Sequence, residues 1–364
     1  MIANWLTPTE QSKIMGEIPY DPTQLGAQVR FFNEDTPSLK GIKIAIIGIG
    51  DQADPVRSAL YRMNTADINV EIADLGNLVN LKPSSTIPLF KELIEVGIHP
   101  VLIGFKSEDS SAIIEGISKV MKKRIRPLFV DDRIGLGKGF SRSYINPLFE
   151  KEVPLIDDLA VLAFQQQYSD IEHARKLFPF THGLRLGSLR SAIQEAEPFI
   201  RDADVMMFML SALKHAEAPA QLKSNPSGLF SEEACQLSKY AGLNENLRFF
   251  AVGNYDLQYD IHKQSAALIA QMIWYFMYGY QNRMYETNLA EKHFTKYMVQ
   301  PDNMEEGFIF YKSEQTGRWW VKKQHENSIP EKGNPLRACS YEDYVGCTHN
   351  TISERLMELF QHAL

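Results

Sequence analysis

Short apolar runs alternate along this chain with longer segments in which apolar residues return every three or four positions. The runs at 42–48, 69–73, 100–104, 127–131, 205–210 and 248–252, with a shorter one near 182–186, predict β-strands. The three-to-four spacing predicts helices over 55–63, 86–96, 110–122, 155–166, 190–199, 231–241 and 262–281. Strands that alternate with helices pair in parallel through helical crossovers, so the pattern predicts an α/β fold: a three-layer α/β/α domain around a mostly parallel open sheet. Several runs, such as Ile44-Ala45-Ile46-Ile47 and Val205-Met206-Met207-Phe208, are apolar on successive positions, as expected of strands covered on both faces.

The pattern weakens at both ends. Residues 1–40 read as an N-terminal segment packing on a main domain at 41–285, and 286–364 as a C-terminal extension of that domain. Within the extension, 306–323 reads as two short strands around the turn signal Glu314-Gln315-Thr316-Gly317, and 323–337 as a polar, linker-like stretch. A Ser340-to-Asp343 capping signal precedes a final amphipathic helix expected over about 351–363. Trp319 and Trp320 are adjacent on the second strand, so their side chains are expected on opposite faces, one inward and one exposed as a candidate interface anchor. An accessory packing unit is the plainer reading of this region. No internal repeat or low-complexity tract interrupts the chain.

Composition narrows the function classes. With 44% hydrophobic and 23% charged residues, 364 residues can build a substantial core, while a net charge of −7 disfavours nucleic acid as a partner. The one basic run, 119–126, directly precedes a strand and reads as a solvated helix end. Three cysteines, Cys235, Cys339 and Cys347, form no C-x-x-C pair and no disulfide framework, which fits a reducing compartment. The N-terminus shows no basic segment followed by an apolar core, and the apolar stretch 266–280 is too short to span a bilayer; a cytoplasmic location without membrane contact is expected.

The first candidate for chemistry is the turn after the first long strand. Gly48, Gly50 and Ala53, with Asp74 about twenty residues beyond, approximate a dinucleotide fingerprint. Asp51 and Asp54 beside it would repel a pyrophosphate, so a strand-to-helix turn is the preferred reading.

The segments that close the strands carry a different signal. Residues 71–77, 99–109, 127–135, 202–219, 225–234 and 251–270 follow in the order and spacing of segments of the ureohydrolase family, which includes arginase, agmatinase and formimidoylglutamase. The resemblance spans roughly residues 40–285. It implies an arginase-like sheet with a pair of manganese ions at the carboxyl ends of the strands and hydrolysis of a guanidino or formimino group. It further implies metal ligands from a Gly-Gly-x-His, an Asp-x-His-x-Asp and an Asp-x-Asp pattern, since two divalent ions sharing one water need anionic oxygens and imidazoles.

This chain departs from those patterns almost throughout. The histidine position of the first holds Ser107; the second becomes Asp131, Arg133 and Gly135; the third becomes Met209 and Ser211. Only Asp131 matches. Glu108, Asp109 and His215 lie close enough in sequence to be considered as substitutes, but strand alternation is expected to turn Asp132 away from Asp131. The nine histidines contain no i, i+4 pair and no H-x-H. Arg133, standing where the resemblance implies a histidine ligand, is expected either to replace the metal charge by pairing with Asp131 or to turn outward. A nucleophilic site at Ser107 lacks a histidine base nearby and a G-x-S-x-G elbow.

Two function classes follow. One is a non-catalytic ureohydrolase-fold protein without cofactor, acting by binding or assembly through a homo-oligomer or protein partner. The other is an active hydrolase of a formimino or guanidino substrate with a relocated manganese site.

Overall fold

In the computed structural model, residues 2–33, 38–65, 68–135, 144–148, 155–286, 293–302, 304–324 and 336–360 are described. The strands are β1 Leu6–Thr7, β2 Arg30–Phe31, β3 Ile44–Gly48, β4 Ile72–Leu78, β5 His99–Phe105, β6 Pro127–Val130, β7 Leu159–Phe164, β8 Thr181–Arg185, β9 Val205–Met209, β10 Phe249–Gly253, β11 Phe294–Val299, β12 Phe308–Ser313, β13 Trp319–Lys323 and β14 Arg337–Cys339. The helices are α1 Gln11–Met15, α2 Asp54–Tyr61, α3 Pro83–Glu95, α4 Ser110–Met121, α5 Ile171–Leu177, α6 Leu186–Ser191, α7 Ala196–Asp202, α8 Ser231–Leu243, α9 Gln264–Gln281, α10 Tyr341–Thr348 and α11 Glu354–Phe360.

The central sheet has ten strands in the order β1-β4-β3-β5-β10-β9-β6-β7-β8, with β2 also on β4, and all its pairings are parallel except β1 with β4. The successive apolar residues read from the sequence divide between its two faces. Ile44, Ile46, Leu128, Val130, Met206 and Phe208 meet α2, α8 and α9 in one core cluster; Ala45, Ile47, Phe129, Val205 and Met207 meet α3 and α4 in the other. That is the three-layer α/β/α arrangement the pattern predicts. It directs the carboxyl ends of β3, β5, β6, β9 and β10 to one edge of the sheet.

Three differences from the sequence reading have physical causes. The segment 155–166, expected to be helical, contains strand β7, buried at every position between β6 and β8. Leu and Ala are good helix formers, and a short run buried on both faces carries no period to tell the two states apart. The N-terminal segment does more than pack on the sheet, because β1 and β2 extend it. The expected helix 190–199 is divided into α6 and α7 by a 3₁₀ turn at Ile193–Glu195.

The C-terminal region is a separate antiparallel sheet, β11-β12-β13-β14, rather than a lone hairpin. The expected pair is present as β12 and β13, and the Ser340 capping box starts α10 as read. The polar stretch expected at 323–337 lies for the most part outside the described residues, as does the chain beyond 360. Trp319 and Trp320 face opposite ways, but neither is exposed: each is 7% accessible. Trp319 stacks on Tyr344 at 4.8 Å, while Trp320 lies under the Arg201 guanidinium of α7 at 4.3 Å. The expectation of one outward tryptophan fails because the main domain covers the second face.

Charge fastens this sheet to the main domain. Arg337 donates to Asp158 at 2.6 Å and to Asp202 at 3.1 Å, and the Arg355 and Asp202 side chains meet at 3.2 Å. Burial pushes the Asp158 carboxyl up, but Arg337 and Arg126 outweigh it and hold the group below the usual carboxylate range. Replacing Arg337 by Ala leaves Asp158 buried without its nearest counter-charge, so a loss of about 3 kcal/mol or more is expected. Urea unfolding of Arg337→Ala measures it; a midpoint like the parent's would show that the joint is held by apolar contact alone.

Candidate functional site at the carboxyl ends of the strands

The turn after β3 does not hold a nucleotide site. Arg57 of α2 fills it, fully buried, with its Nε 2.9 Å from Asp74, one terminal nitrogen donating to Asn77 at 2.8 Å and the other to the Gly76 carbonyl at 2.7 Å. A Cβ on Gly48 would lie 2.9 Å from that guanidinium and closer still to Asn77, so the glycine serves close packing. Asp74, the residue that would bind a ribose, is consumed by Arg57 and by the Tyr61 hydroxyl at 2.5 Å.

The cleft lies instead where the strand ends converge. It has a volume of about 440 Å³, within the range of small-molecule sites, and its walls include Lys106 and Ser107 after β5, Asp132 and Arg133 after β6, Ser211 after β9 and Asn254 after β10. Its lining carries both signs of charge, Lys106, Arg133 and Lys223 together with Glu108, Asp132 and Asp256. Asn254 adopts φ 57° and accepts a hydrogen bond from the Ser107 backbone N–H at 2.9 Å, which ties the ends of β5 and β10 together.

The positions that the ureohydrolase resemblance marks are largely brought together here. Asp131 is 2% accessible. Its Oδ1 accepts from the Ser211 hydroxyl at 2.5 Å and from the Asp132 backbone N–H at 2.7 Å; its Oδ2 accepts from the Tyr144 hydroxyl at 2.6 Å. Gly135 lies under the Tyr144 ring, Ser107 and Arg133 line the wall, and Met209 is buried in the apolar cluster that also holds Phe129 and Tyr144.

Arg133 takes neither course considered from the sequence, pairing with Asp131 or turning outward to solvent, but pairs with Asp132. The contact is a bidentate fork, Nε to Oδ1 and a terminal nitrogen to Oδ2, both at 2.8 Å. The guanidinium also sits 5.1 Å from the centre of the Tyr168 ring, and Asn225 reaches the same carboxylate at 3.4 Å. The reason for the difference is that β6 ends at Val130, so the strict alternation that would turn Asp132 away no longer governs the chain. Tyr144 and Asn225 were not marked by the sequence. Tyr144 follows Asp131 by thirteen residues and no motif announces it.

This donor set does not fit a pair of divalent ions. One carboxylate is already satisfied by two hydroxyls and an N–H, and the other is occupied by a guanidinium, whose charge repels a cation. The substitutes considered from the sequence do not repair it. Asp109 is turned back to the Lys106 N–H at 2.9 Å, and among the described residues no three His, Cys, Asp or Glu side chains gather as a group that could hold a metal ion.

Two outcomes follow from the geometry. Arg133→Ala leaves Asp132, 4% accessible, without its counter-charge, and should cost about 1–3 kcal/mol, part of which Asp132→Asn recovers in the same background. Chemical denaturation of the single and double variants checks this; equal stability of Arg133→Ala and parent would refute it. The second outcome concerns pH. Burial, followed by the Asp132 charge, pushes the Asp131 carboxyl up to about 7 against its three hydrogen bonds. The folded chain therefore keeps a proton that the unfolded chain has released, and stability from this group falls as pH rises from about 4 to about 7, by at most ~1.4 kcal/mol per pH unit, then levels off. Asp131→Asn should flatten that slope in urea midpoints measured from pH 4 to 8.

No family model matches the sequence, and no curated protein matches it. Solved structures do. Formimidoylglutamase from Bacillus subtilis aligns over 74% of this chain and 96% of its own with a TM-score of 0.63 at 14% identity. Trypanosoma cruzi formiminoglutamase with Mn2+ aligns over 68% of this chain and 97% of its own with a TM-score of 0.59 at 15% identity. Arginase from Bacillus cereus aligns over 65% and 98%, with a TM-score of 0.53 at 12% identity. With its parallel sheet, covering helices and cleft at the strand ends, this chain has the arginase-like fold of the formimidoylglutamases and arginases.

Proposed function

We propose that the chain is a non-catalytic protein of the ureohydrolase fold that acts by binding or assembly, as a homo-oligomer or with a protein partner, in the cytoplasm. The observation that carries the reading is the internal pairing of the cleft: Arg133 holds Asp132, and the Ser211 and Tyr144 hydroxyls hold Asp131. Both carboxyl groups thus have partners within the chain itself. A water shared between two cations is the nucleophile that the resemblance implies, and these residues offer no equivalent base beside a bound nucleophile. Among the described residues no helix is long and apolar enough to cross a membrane.

A second reading, an active hydrolase of a formimino or guanidino substrate with a relocated manganese site, draws support from the open cleft, whose walls keep the carboxylates of Glu108, Asp132 and Asp256. The shared fold with the hydrolases named above favours it as well.

One set of measurements separates the two. Purified protein, with and without added manganese, is assayed on arginine, agmatine and formimidoylglutamate, while calorimetry follows manganese binding and light scattering the assembly state. The proposal expects no turnover above background, no manganese binding in the micromolar range and a particle larger than one chain or a partner recovered with it. Manganese-dependent turnover that disappears in Asp132→Asn would establish the second reading.

A further inference from the structure

We infer that Tyr144 has taken over the structural role of the metal ions at this cleft: its ring fills the space that a side chain at 135 would need, and its hydroxyl satisfies the carboxylate a cation would otherwise neutralise. The inference rests on the non-catalytic reading of the cleft, but it is tested by folding rather than by turnover, so either can fail without the other.

The steric half is direct. A Cβ built on Gly135 would lie 2.6 Å from the Tyr144 ring carbon Cζ and 2.8 Å from both Cε atoms, distances at which something must move. The ring has little room to do so. Its backbone carbonyl accepts from the Ser111 hydroxyl at 2.5 Å, the next residue's N–H donates to the Gly135 carbonyl at 3.1 Å, and the ring packs 5.6 Å from that of Phe129. A carboxylate at 135 would meet the same ring with more atoms. Glycine at 135 and tyrosine at 144 therefore belong together, and a metal-binding side chain at 135 belongs to a different arrangement.

The electrostatic half concerns Asp131. Buried carboxylates need donors or cations to replace lost water. Tyr144 is 7% accessible, and its hydroxyl donates to Asp131 Oδ2 at 2.6 Å. Burial, then the Asp131 charge, raises the phenol well above its ordinary range, so it remains a donor at any working pH. Ser211, at a position where the resemblance implies a carboxylate ligand, supplies the other hydroxyl at 2.5 Å. Relative to the patterns the resemblance implies, carboxylates are absent at 135, 209 and 211 and two hydroxyl donors meet Asp131, so fewer like charges gather beside it than in a set that needs metal.

The experiment is a double-mutant cycle. Gly135→Ala, Tyr144→Ala and the pair are melted with and without manganese, alongside Tyr144→Phe, which keeps the ring and removes only the hydroxyl. The expected result is that Gly135→Ala lowers the melting temperature by several degrees in the parent and by little in the Tyr144→Ala background. Tyr144→Phe should lower it as well, with no recovery on adding manganese. An equal effect of Gly135→Ala in both backgrounds would overturn the steric half. A Tyr144→Phe variant that melts like the parent, or one restored by manganese, would overturn the electrostatic half, even if Gly135→Ala yields no folded protein.

Discussion

A carboxylate cut off from water must be answered by a cation or by hydrogen-bond donors, and Asp131 sets that demand at the centre of the molecule. Several groups at the carboxyl ends of the strands meet that demand. Hydroxyls from β9's end and from the segment at 144–148 converge on it, and the adjacent carboxylate of Asp132 is taken by the next residue, Arg133. The result is a site whose two buried acids are met by donors of the chain itself. Its bidentate fork and its hydroxyl pairs draw their donors from the chain itself.

The same logic recurs away from the cleft. Arg57 and Asp74 meet in full burial under the first strand-to-helix turn, and Arg337 bridges Asp158 and Asp202 where the C-terminal sheet joins the main domain. Pairs of this kind add little net stability over apolar packing, because desolvation consumes much of the attraction. Their worth lies in selection: a misplaced helix or sheet would strand a charge in the interior. The apolar faces bring the layers together, and the ion pairs decide how they register.

The fold was legible because burial on both faces leaves a direct trace in the sequence. Strands such as Ile44–Gly48 and Val205–Met209 are apolar at successive positions, and the helices between them keep a clear period. β7 was not legible, since Leu159-Ala160-Val161-Leu162-Ala163-Phe164 suits a buried helix as well as a buried strand. At the site, the resemblance placed Ser107, Asp131, Arg133 and Ser211 at one cleft, and the structure brings them there. What the residues could not reveal was pairing. Whether Arg133 chooses Asp131 or Asp132 depends on where β6 stops, and Tyr144 enters through a long-range approach that no spacing encodes. The burial of Trp320 was hidden for a similar reason, because its cover comes from α7, far away in sequence.

The joint with the C-terminal sheet has a mechanical consequence. Asp158 precedes β7 and Asp202 precedes β9, with Arg126 before β6 beside Asp158, so the joint lies at the starts of these strands, whereas the cleft is built on the ends of two of them. β6 is four residues long, a rod of roughly 13 Å at the usual rise per residue. A rod that short, bonded on both flanks, has no hinge within it. The appended sheet and the cleft therefore meet opposite ends of the same short strands: the sheet's ion pairs stand at the starts of β7 and β9, and Asp131, Asp132 and Ser211 at the ends of β6 and β9.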